Sequence, residues 1–442
     1  MEKSDLIIIG AGPGGYETAV EAVAHGKNVT LIERDKFGGT CLNRGCIPTK
    51  ALCRTAQIAL DFAEARNYGF ADTAATLDFP AVMQRKDSVV AELREGVATL
   101  LKGVNVVNGE ARFVSPSVIE VNGTEYTAPE IIIATGSAPA LLPIEGKELA
   151  MTSDEILSLE TLPESMCIIG GGVIGMEFAS IFSAFGVEVT VVEYCKEILP
   201  PFDAEIAKRL RMSLKKRGIN IITGAEVKSI TTGPTVNYSV KGKEKTVGAE
   251  VVLMAVGRRP VVPAGLAELG VKFNRNAIAV NDDMSVRFDE GKEPTDVRLY
   301  AIGDVNGRCM LAHAATMQGK VALGMREPTD VIPSAVFTVP ECAMVGLTEE
   351  KCIELGRDIK VGKATFRANG KALAMGEPDG LVKIISDATT GELLGCHICG
   401  AHAADLVQEI ATSMQAGLNV SAISSAVHAH PTLGEVVMAA AM

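Results

Sequence analysis

The sequence predicts an α/β chain with two parallel-sheet domains and a separate C-terminal α+β domain. Three observations predict it. A βαβ pattern occurs twice, as LIIIGAGPGGYETAVEAVAHGKNVTLIE at 6–33 and MCIIGGGVIGMEFASIFSAFGVEVTVVE at 166–193. Three more apolar runs, 130–134, 251–256 and 298–302, each end in a glycine turn. After about residue 332 the texture changes to short strands, with a hairpin around Thr389-Thr390-Gly391.

Each βαβ copy reads as a buried strand, a glycine turn, a helix and a second strand, which is a Rossmann-like dinucleotide-binding unit. In the first copy Gly10 permits the tight turn, Gly12 lets backbone approach a pyrophosphate, and Gly15 lets helix and strand pack closely. Glu33 closes the second strand, where a carboxylate can accept from ribose hydroxyls. Gly170, Gly172, Gly175 and Glu193 repeat the arrangement at the same spacing. Two such units imply two dinucleotides, the arrangement a redox enzyme needs to move a hydride between cofactors. Tyr194 and Cys195 follow Glu193 with no Arg beside it. A carboxylate repels a 2′-phosphate, so the second site should prefer NAD over NADP.

The remaining elements follow in order. Strands ending at Gly136, Gly257 and Gly303 point backbone at a ligand from their carboxyl ends. Helical periodicity covers 46–65, 79–101 and 203–217, the last stopped by Gly218. Strands at 381–386 and 393–398 and a helix at 403–416 build the final domain.

Composition narrows the function. The 442 residues suggest about three domains. Apolar residues make up 47% and charged residues 22%, so the chain has material for several cores. The 42 basic and 54 acidic residues give a net charge of −12, which argues against nucleic-acid binding. Aromatics are 4% and Trp is absent, so base-stacking platforms are not expected. No apolar run is long enough for a membrane span. No signal peptide is read, so a cytoplasmic location is expected. No metal site is expected either.

In a reducing compartment a close cysteine pair is a candidate for chemistry. Cys41 and Cys46 are separated by four residues and can form a disulfide if the turn containing Gly45 folds back. Pro48 suits the first turn of the following helix. A helix N-terminus should depress the thiol pKa values. A zinc half-site or buried apolar cysteines are the other readings, and no further Cys or His ligand lies close by. Cys396 and Cys399 sit in an apparent strand with side chains on opposite faces, so both are assigned to packing. Cys53, Cys167, Cys195, Cys309, Cys342 and Cys352 have no partner visible in sequence.

Together, Gly39-Thr40-Cys41, Cys46-Ile47-Pro48-x-Lys50, Ala301-Ile302-Gly303-Asp304 and His428-Ala429-His430-Pro431-Thr432-Leu433-Gly434-Glu435 resemble the flavin-dependent pyridine nucleotide–disulfide oxidoreductases. The resemblance runs essentially end to end. It is strongest to the members that oxidise dihydrolipoamide. It implies FAD at the first site and NAD at the second, with 1–145 and 270–332 binding FAD, 146–269 binding NAD, and 333–442 forming a dimerisation domain.

On matching positions it implies that Glu33 holds the adenosine ribose, Ala111 contacts adenine, and Asp304 accepts from the ribityl chain. Lys50 would lie near the flavin ring with Glu177 as its acid, and the backbone of Ala312 would contact the flavin. Glu193, Val227 and Gly257 match positions that contact NAD. Cys41 and Cys46 would be the redox disulfide, His430 the acid/base supplied across a homodimer, and Glu435 the acid that orients it. The implied partner is a lipoyl-carrying protein of a 2-oxoacid dehydrogenase complex or the glycine cleavage system. A reductase of another small disulfide, or a flavin redox sensor without turnover, is the alternative. Arg44 and Thr49 stand where relatives often have Val and Ser, which changes the charge expected near the disulfide. No C-terminal cysteine pair and no Arg cluster after Glu193 are present, and there are two redox cysteines rather than one. Those features argue against mercuric ion reductase, glutathione reductase and NADH peroxidase or oxidase respectively.

Overall fold

A computed structural model describes residues 1–71 and 75–442. The chain divides into two compact units. The first comprises Met1–Ala51, Ala81–Ala140 and Arg258–Thr329, and the second Leu52–Pro80, Leu141–Gly257 and Asp330–Met442.

In the first unit, Leu6–Ile9 pairs in parallel with Val29–Glu33 on one side and Glu130–Ile133 on the other. Asn105–Asn108 and Arg298–Ala301 extend the sheet at its two edges, again in parallel. Leu6, Ile7 and Ile8 are fully buried. Such a continuous aliphatic run is what a parallel strand covered on both faces demands. The Pro13–Ala24 helix packs on the Ala312–Ala322 helix so tightly that a Cβ on Gly319 would lie 1.9 Å from Thr18 Oγ1. A small sheet of Glu2–Lys3, Thr124–Thr127, Val118–Val121 and Arg112–Ser115 completes the unit.

In the second unit, Ser165–Ile169 pairs in parallel with Glu188–Val192 and Val251–Met254. Asn220–Ile222 forms the edge beside Glu188–Val192. Ala225–Thr231, Thr235–Val240 and Lys243–Gly248 make an antiparallel meander. The C-terminal region is a five-stranded antiparallel sheet in the order Ser334–Val336, Glu341–Gly346, Leu393–Gly400, Leu381–Asp387 and Ile359–Thr365. One face buries Val345, Ile384, Cys396 and Ile398 against Val407 and Ile410 of the Ala403–Gln415 helix. Among the described residues no helix is long and apolar enough to cross a membrane.

The opposite face carries a buried charge cluster. Lys383 Nζ donates to Asp203 Oδ2 at 2.7 Å and to Glu349 Oε2 at 2.5 Å. Asp203 also caps the Ala204–Lys216 helix, accepting from Glu205 N and Ile206 N. Burial alone would raise the Asp203 pKa, but the Lys383 hydrogen bond, His397 and the helix N-terminus bring it below its ordinary value. Burial likewise pulls Lys383 down, and its two carboxylate partners bring it above its ordinary value. The depressed acid contributes stability above about pH 4 that is lost as pH falls through its folded value. The raised base contributes stability below about pH 10 that is lost as pH rises through its own. Lys383→Met strands the buried Asp203 carboxylate and should cost about 3–5 kcal/mol in urea unfolding at neutral pH. A cost below about 1 kcal/mol would mean that water reaches the acids unaided.

Candidate functional site

Both glycine turns are built alike. Gly10 has φ +104° and Gly170 φ +109°, and a Cβ at either would lie 2.4 Å from a carbonyl, of Ala134 or Ala255. Gly15 and Gly175 are stricter, since a Cβ would lie 1.8 Å from Gly10 O or 2.0 Å from Gly170 O. By contrast, a Cβ on Gly172 would meet nothing within 4 Å, and one on Gly12 only Gly39 Cα at 3.9 Å. The middle glycines therefore face open space at the N-termini of the Pro13–Ala24 and Val173–Ala184 helices. Open backbone at a helix N-terminus fits a pyrophosphate. Gly15→Ala should leave purified protein with well under one flavin per chain by absorbance; full occupancy would show that the turn can relax around the methyl group.

The two acids also act alike. Glu33 Oε2 accepts from Ala11 N at 2.7 Å and Oε1 from Asp35 N at 2.8 Å. Glu193 accepts from Gly171 N and Cys195 N in the same way. Each carboxylate thus clasps its own glycine turn, while each oxygen keeps lone-pair capacity for a ribose hydroxyl.

The cysteine segment is pressed against the first turn. Gly38 and Gly39 have φ +90° and +55°, and a Cβ on Gly39 would lie 2.7 Å from Gly12 Cα. Gly39–Arg44 forms a short helix, Gly45 breaks it, and Cys46 begins the Cys46–Glu64 helix. Asn43 Nδ2 donates to Phe37 O and Gly39 O, both at 2.9 Å, and pins the turn. The fold-back brings the Cys41 thiol into a hydrogen bond with the Cys46 side chain.

The depressed pKa expected from the sequence does not hold at Cys41. Its thiol is raised far above the ordinary value by the hydrogen bond to Cys46 and then by burial; Lys50, one turn along the helix, opposes this only weakly. Tyr16 lies near enough to feel Cys41, and its phenol is pushed up to about 12 by burial and by Glu17. Arg44 pairs with Asp35, so its charge is engaged on the segment before the cysteines.

Asp304 lies in the Gly303–Asn306 turn after the Arg298–Ala301 strand. Its Oδ2 accepts from Ser137 Oγ at 2.5 Å. Arg258 Nε donates to Ser137 Oγ at 2.7 Å, and Nη2 to Ser137 O at 2.8 Å and Thr40 Oγ1 at 3.5 Å. This hub joins the acid after one strand, the loop after another and the residue before Cys41. Sequence reasoning missed Ser137 and Arg258, and it also missed Gln318, whose Oε1 accepts from Gly303 N and Asn306 Nδ2. The Arg258-Arg259-Pro260 run after the glycine turn at 257 was the available signal. Gly136 follows Glu130–Ile133 at φ +69°, Ala312 opens its helix, and Ala111 is buried between two strands.

In the second unit, Glu177 is buried and its Oε1 accepts from Phe337 N at 2.9 Å. Val227 sits at a bulge in its strand pairing, and Gly257 has φ +119° after Val251–Met254. Near the C-terminus His430 Nδ1 lies 2.9 Å from Glu435 Oε1. Glu435 Oε2 accepts from Thr432 N at 2.9 Å. That backbone hydrogen bond, and then the one to His430, hold the Glu435 carboxyl below the usual carboxylate range. The histidine side chain is 80% exposed. His428 forms a second pair, with Nε2 3.0 Å from Glu409 Oε1.

Residues 4–319 match the pyridine nucleotide-disulphide oxidoreductase family, and residues 332–441 match its dimerisation domain. The chain belongs to this family. Members of the family bind FAD and NAD. A dihydrolipoyl dehydrogenase of Bacillus subtilis (strain 168) is 38% identical, the alignment covering 99% of this chain and 97% of the relative. One from Chlamydia muridarum is 38% identical, covering 98% and 95%. Among solved structures, the Cu(II) complex of the HOCl-induced flavoprotein disulfide reductase RclA from Escherichia coli has a TM-score of 0.85 at 29% identity, covering 100% of this chain and 99% of that one.

Proposed function

We infer that the chain is a dihydrolipoyl dehydrogenase, oxidising protein-bound dihydrolipoamide to lipoamide with NAD+. The observation that carries this reading is the near full-length identity to dihydrolipoyl dehydrogenases, in a chain that brings Cys41 and Cys46 together and pairs His430 with Glu435. The working form is a homodimer, supported by the match to the dimerisation domain. Cytoplasmic placement belongs to the same reading and rests on the cysteine usage of the sequence.

The roles follow from the chemistry of these side chains. Donation of Nδ1–H to Glu435 leaves His430 Nε2 as the basic nitrogen. His430 takes the proton of one substrate thiol. The thiolate attacks Cys41 of the Cys41–Cys46 disulfide, and Cys46 leaves as thiolate. The second substrate thiol then attacks the mixed disulfide and closes the lipoyl ring; its proton passes to Cys41 as that sulfur is expelled, and the first proton stays on His430 while Cys46 remains a thiolate. The exposed histidine serves the disulfide of the other subunit, as the family resemblance implies. Bound FAD supplies the two-electron path between sulfur and nicotinamide. Gly10, Gly12, Gly15, Glu33, Lys50, Ala111, Gly136, Gly303, Asp304 and Ala312 would hold the flavin, with Glu177 supporting Lys50. Gly170, Gly172, Gly175, Glu193, Val227 and Gly257 would hold NAD. Ser137 donates to the Asp304 carboxylate and Arg258 holds Ser137, so the two would fix that acid for the flavin.

A substrate panel tests the reading. Dihydrolipoamide with NAD+ should turn over fastest. NADP+ should be at least about tenfold poorer, because Glu193 repels a 2′-phosphate. NADH-driven reduction should favour lipoamide over glutathione disulfide and coenzyme A disulfide. A preference for either of the latter would make the chain a reductase of another small disulfide. Absence of turnover with every disulfide, despite bound FAD, would make it a sensor.

A further inference from the structure

The C-terminal sheet contains a second pair of facing cysteines. Glu341–Gly346 and Leu393–Gly400 are antiparallel neighbours, and their register sets Cys342 directly opposite Cys399. The kind of pair follows from the ladder. Leu347 N donates to Leu394 O at 2.8 Å, so Leu347 and Leu394 form a hydrogen-bonded pair in the same register. Pairs alternate along an antiparallel ladder. Stepping back from 347 by twos makes 345, 343 and 341 the hydrogen-bonded positions, and leaves Cys342 and Cys399 a non-hydrogen-bonded pair. At such a pair the Cα atoms stand about 4.5 Å apart with side chains drawn together. That lies inside the range of roughly 4.4–6.8 Å that a disulfide spans. The two side chains are already hydrogen-bonded to each other, and both residues are fully buried.

We propose that Cys342 and Cys399 form a second redox dithiol, a latent cross-strand disulfide site that is oxidised by hydroperoxides and tethers the C-terminal domain. One thiolate attacks the peroxide O–O bond, becomes a sulfenic acid and releases water once the leaving oxygen is protonated. The other thiolate attacks that sulfur and expels hydroxide, which takes up a proton. Two thiols and one hydrogen peroxide become one disulfide and two waters, and the two electrons lost by sulfur reduce the peroxide.

Burial, then the hydrogen bond to Cys399, raises the Cys342 thiol well above its ordinary value, so the closed sheet protects the pair. Reaction needs local opening, and oxidation is slower than at Cys41 and Cys46. Once formed, the bond joins strands that are already paired, so the folded state changes little. Its effect falls on the unfolded chain, where it closes a loop through 343–398. The oxidised domain, which carries His430 and Glu435, therefore resists heat better with its turnover unchanged.

The test treats the FAD-containing dimer with hydrogen peroxide, unfolds it in denaturant with an alkylating agent, and maps peptides without reduction. A peptide joining Cys342 to Cys399 is expected, and the Cys41–Cys46 link reports that oxidation occurred. The thermal midpoint should rise by at least about 2 °C over that of peroxide-treated Cys399→Ala, and dithiothreitol should reverse the rise. Alkylated Cys342 and Cys399 alongside a complete Cys41–Cys46 link would overturn the proposal. Linkage of either to a different cysteine, or the expected link without a thermal shift, would also overturn it. Should Cys399→Ala fail to fold, the unmutated protein before and after dithiothreitol gives both readouts.

Discussion

A Cys46→Ser variant is expected to oxidise dihydrolipoamide at least about a thousandfold more slowly while still folding and retaining FAD. Serine cannot join Cys41 in a disulfide, so the substrate thiolate has no sulfur–sulfur bond to attack. The side chains of Cys41 and Cys46 already touch through a hydrogen bond, so the loss is chemical rather than architectural. The family resemblance implies that Cys41 is the sulfur farther from the flavin and Cys46 the nearer, so the long-wavelength thiolate-to-flavin absorption of the two-electron-reduced enzyme should vanish with it. Cys41→Ser should be equally inactive in turnover yet keep the band. Full persistence of the band in Cys46→Ser would reverse the assignment of the two sulfurs.

A His430→Gln variant should lose at least about a hundredfold in lipoamide turnover. Glutamine can still donate to Glu435 but offers no basic nitrogen to the substrate thiol. Flavin reduction by NADH in a stopped-flow mixing experiment should stay near its normal rate, since that half of the cycle makes no use of the imidazole. Near-normal lipoamide turnover would remove His430 from the acid/base role. Glu435→Gln should fall between the two enzymes, because the Thr432 amide still holds the side chain in place while the carboxylate that orients the His430 ring is gone.

What could be read from the sequence shares one property: it is local. The two glycine turns, Glu33 and Glu193 lie within single βαβ units, and their spacing is dictated by strand and helix length. Cys41, Gly45 and Cys46 are close enough in sequence for a fold-back to be foreseen. His430 and Glu435 are five residues apart across a proline. What was hidden depends on strand order and register. Arg258 reaches Ser137 because Arg258–Pro260 pairs with Ser137–Pro139, a relation no periodicity reveals. Cys342 appeared solitary because its partner is set by the alignment of two strands whose connection holds two α-helices and two further strands. Lys383 sits in a strand that reads as apolar, and its acids come from 203 and 349. The depressed thiol expected at the helix start failed at Cys41 because a neighbouring sulfur and burial outweighed the helix and Lys50.

The sheet of the first unit has a consequence for biosynthesis. Its last strand, Arg298–Ala301, is an edge of a sheet begun at Leu6–Ile9, and the whole Val173–Ala184 region emerges from the ribosome in between. Asp304, with Ser137 already waiting for it, is translated only after more than two thirds of the chain. A nascent chain therefore cannot complete the Asp304–Ser137–Arg258 hub early, and on the proposed role of Asp304 in holding the flavin, cofactor loading waits until synthesis is well advanced. Release of shortened polypeptides ending before that strand should yield colourless protein.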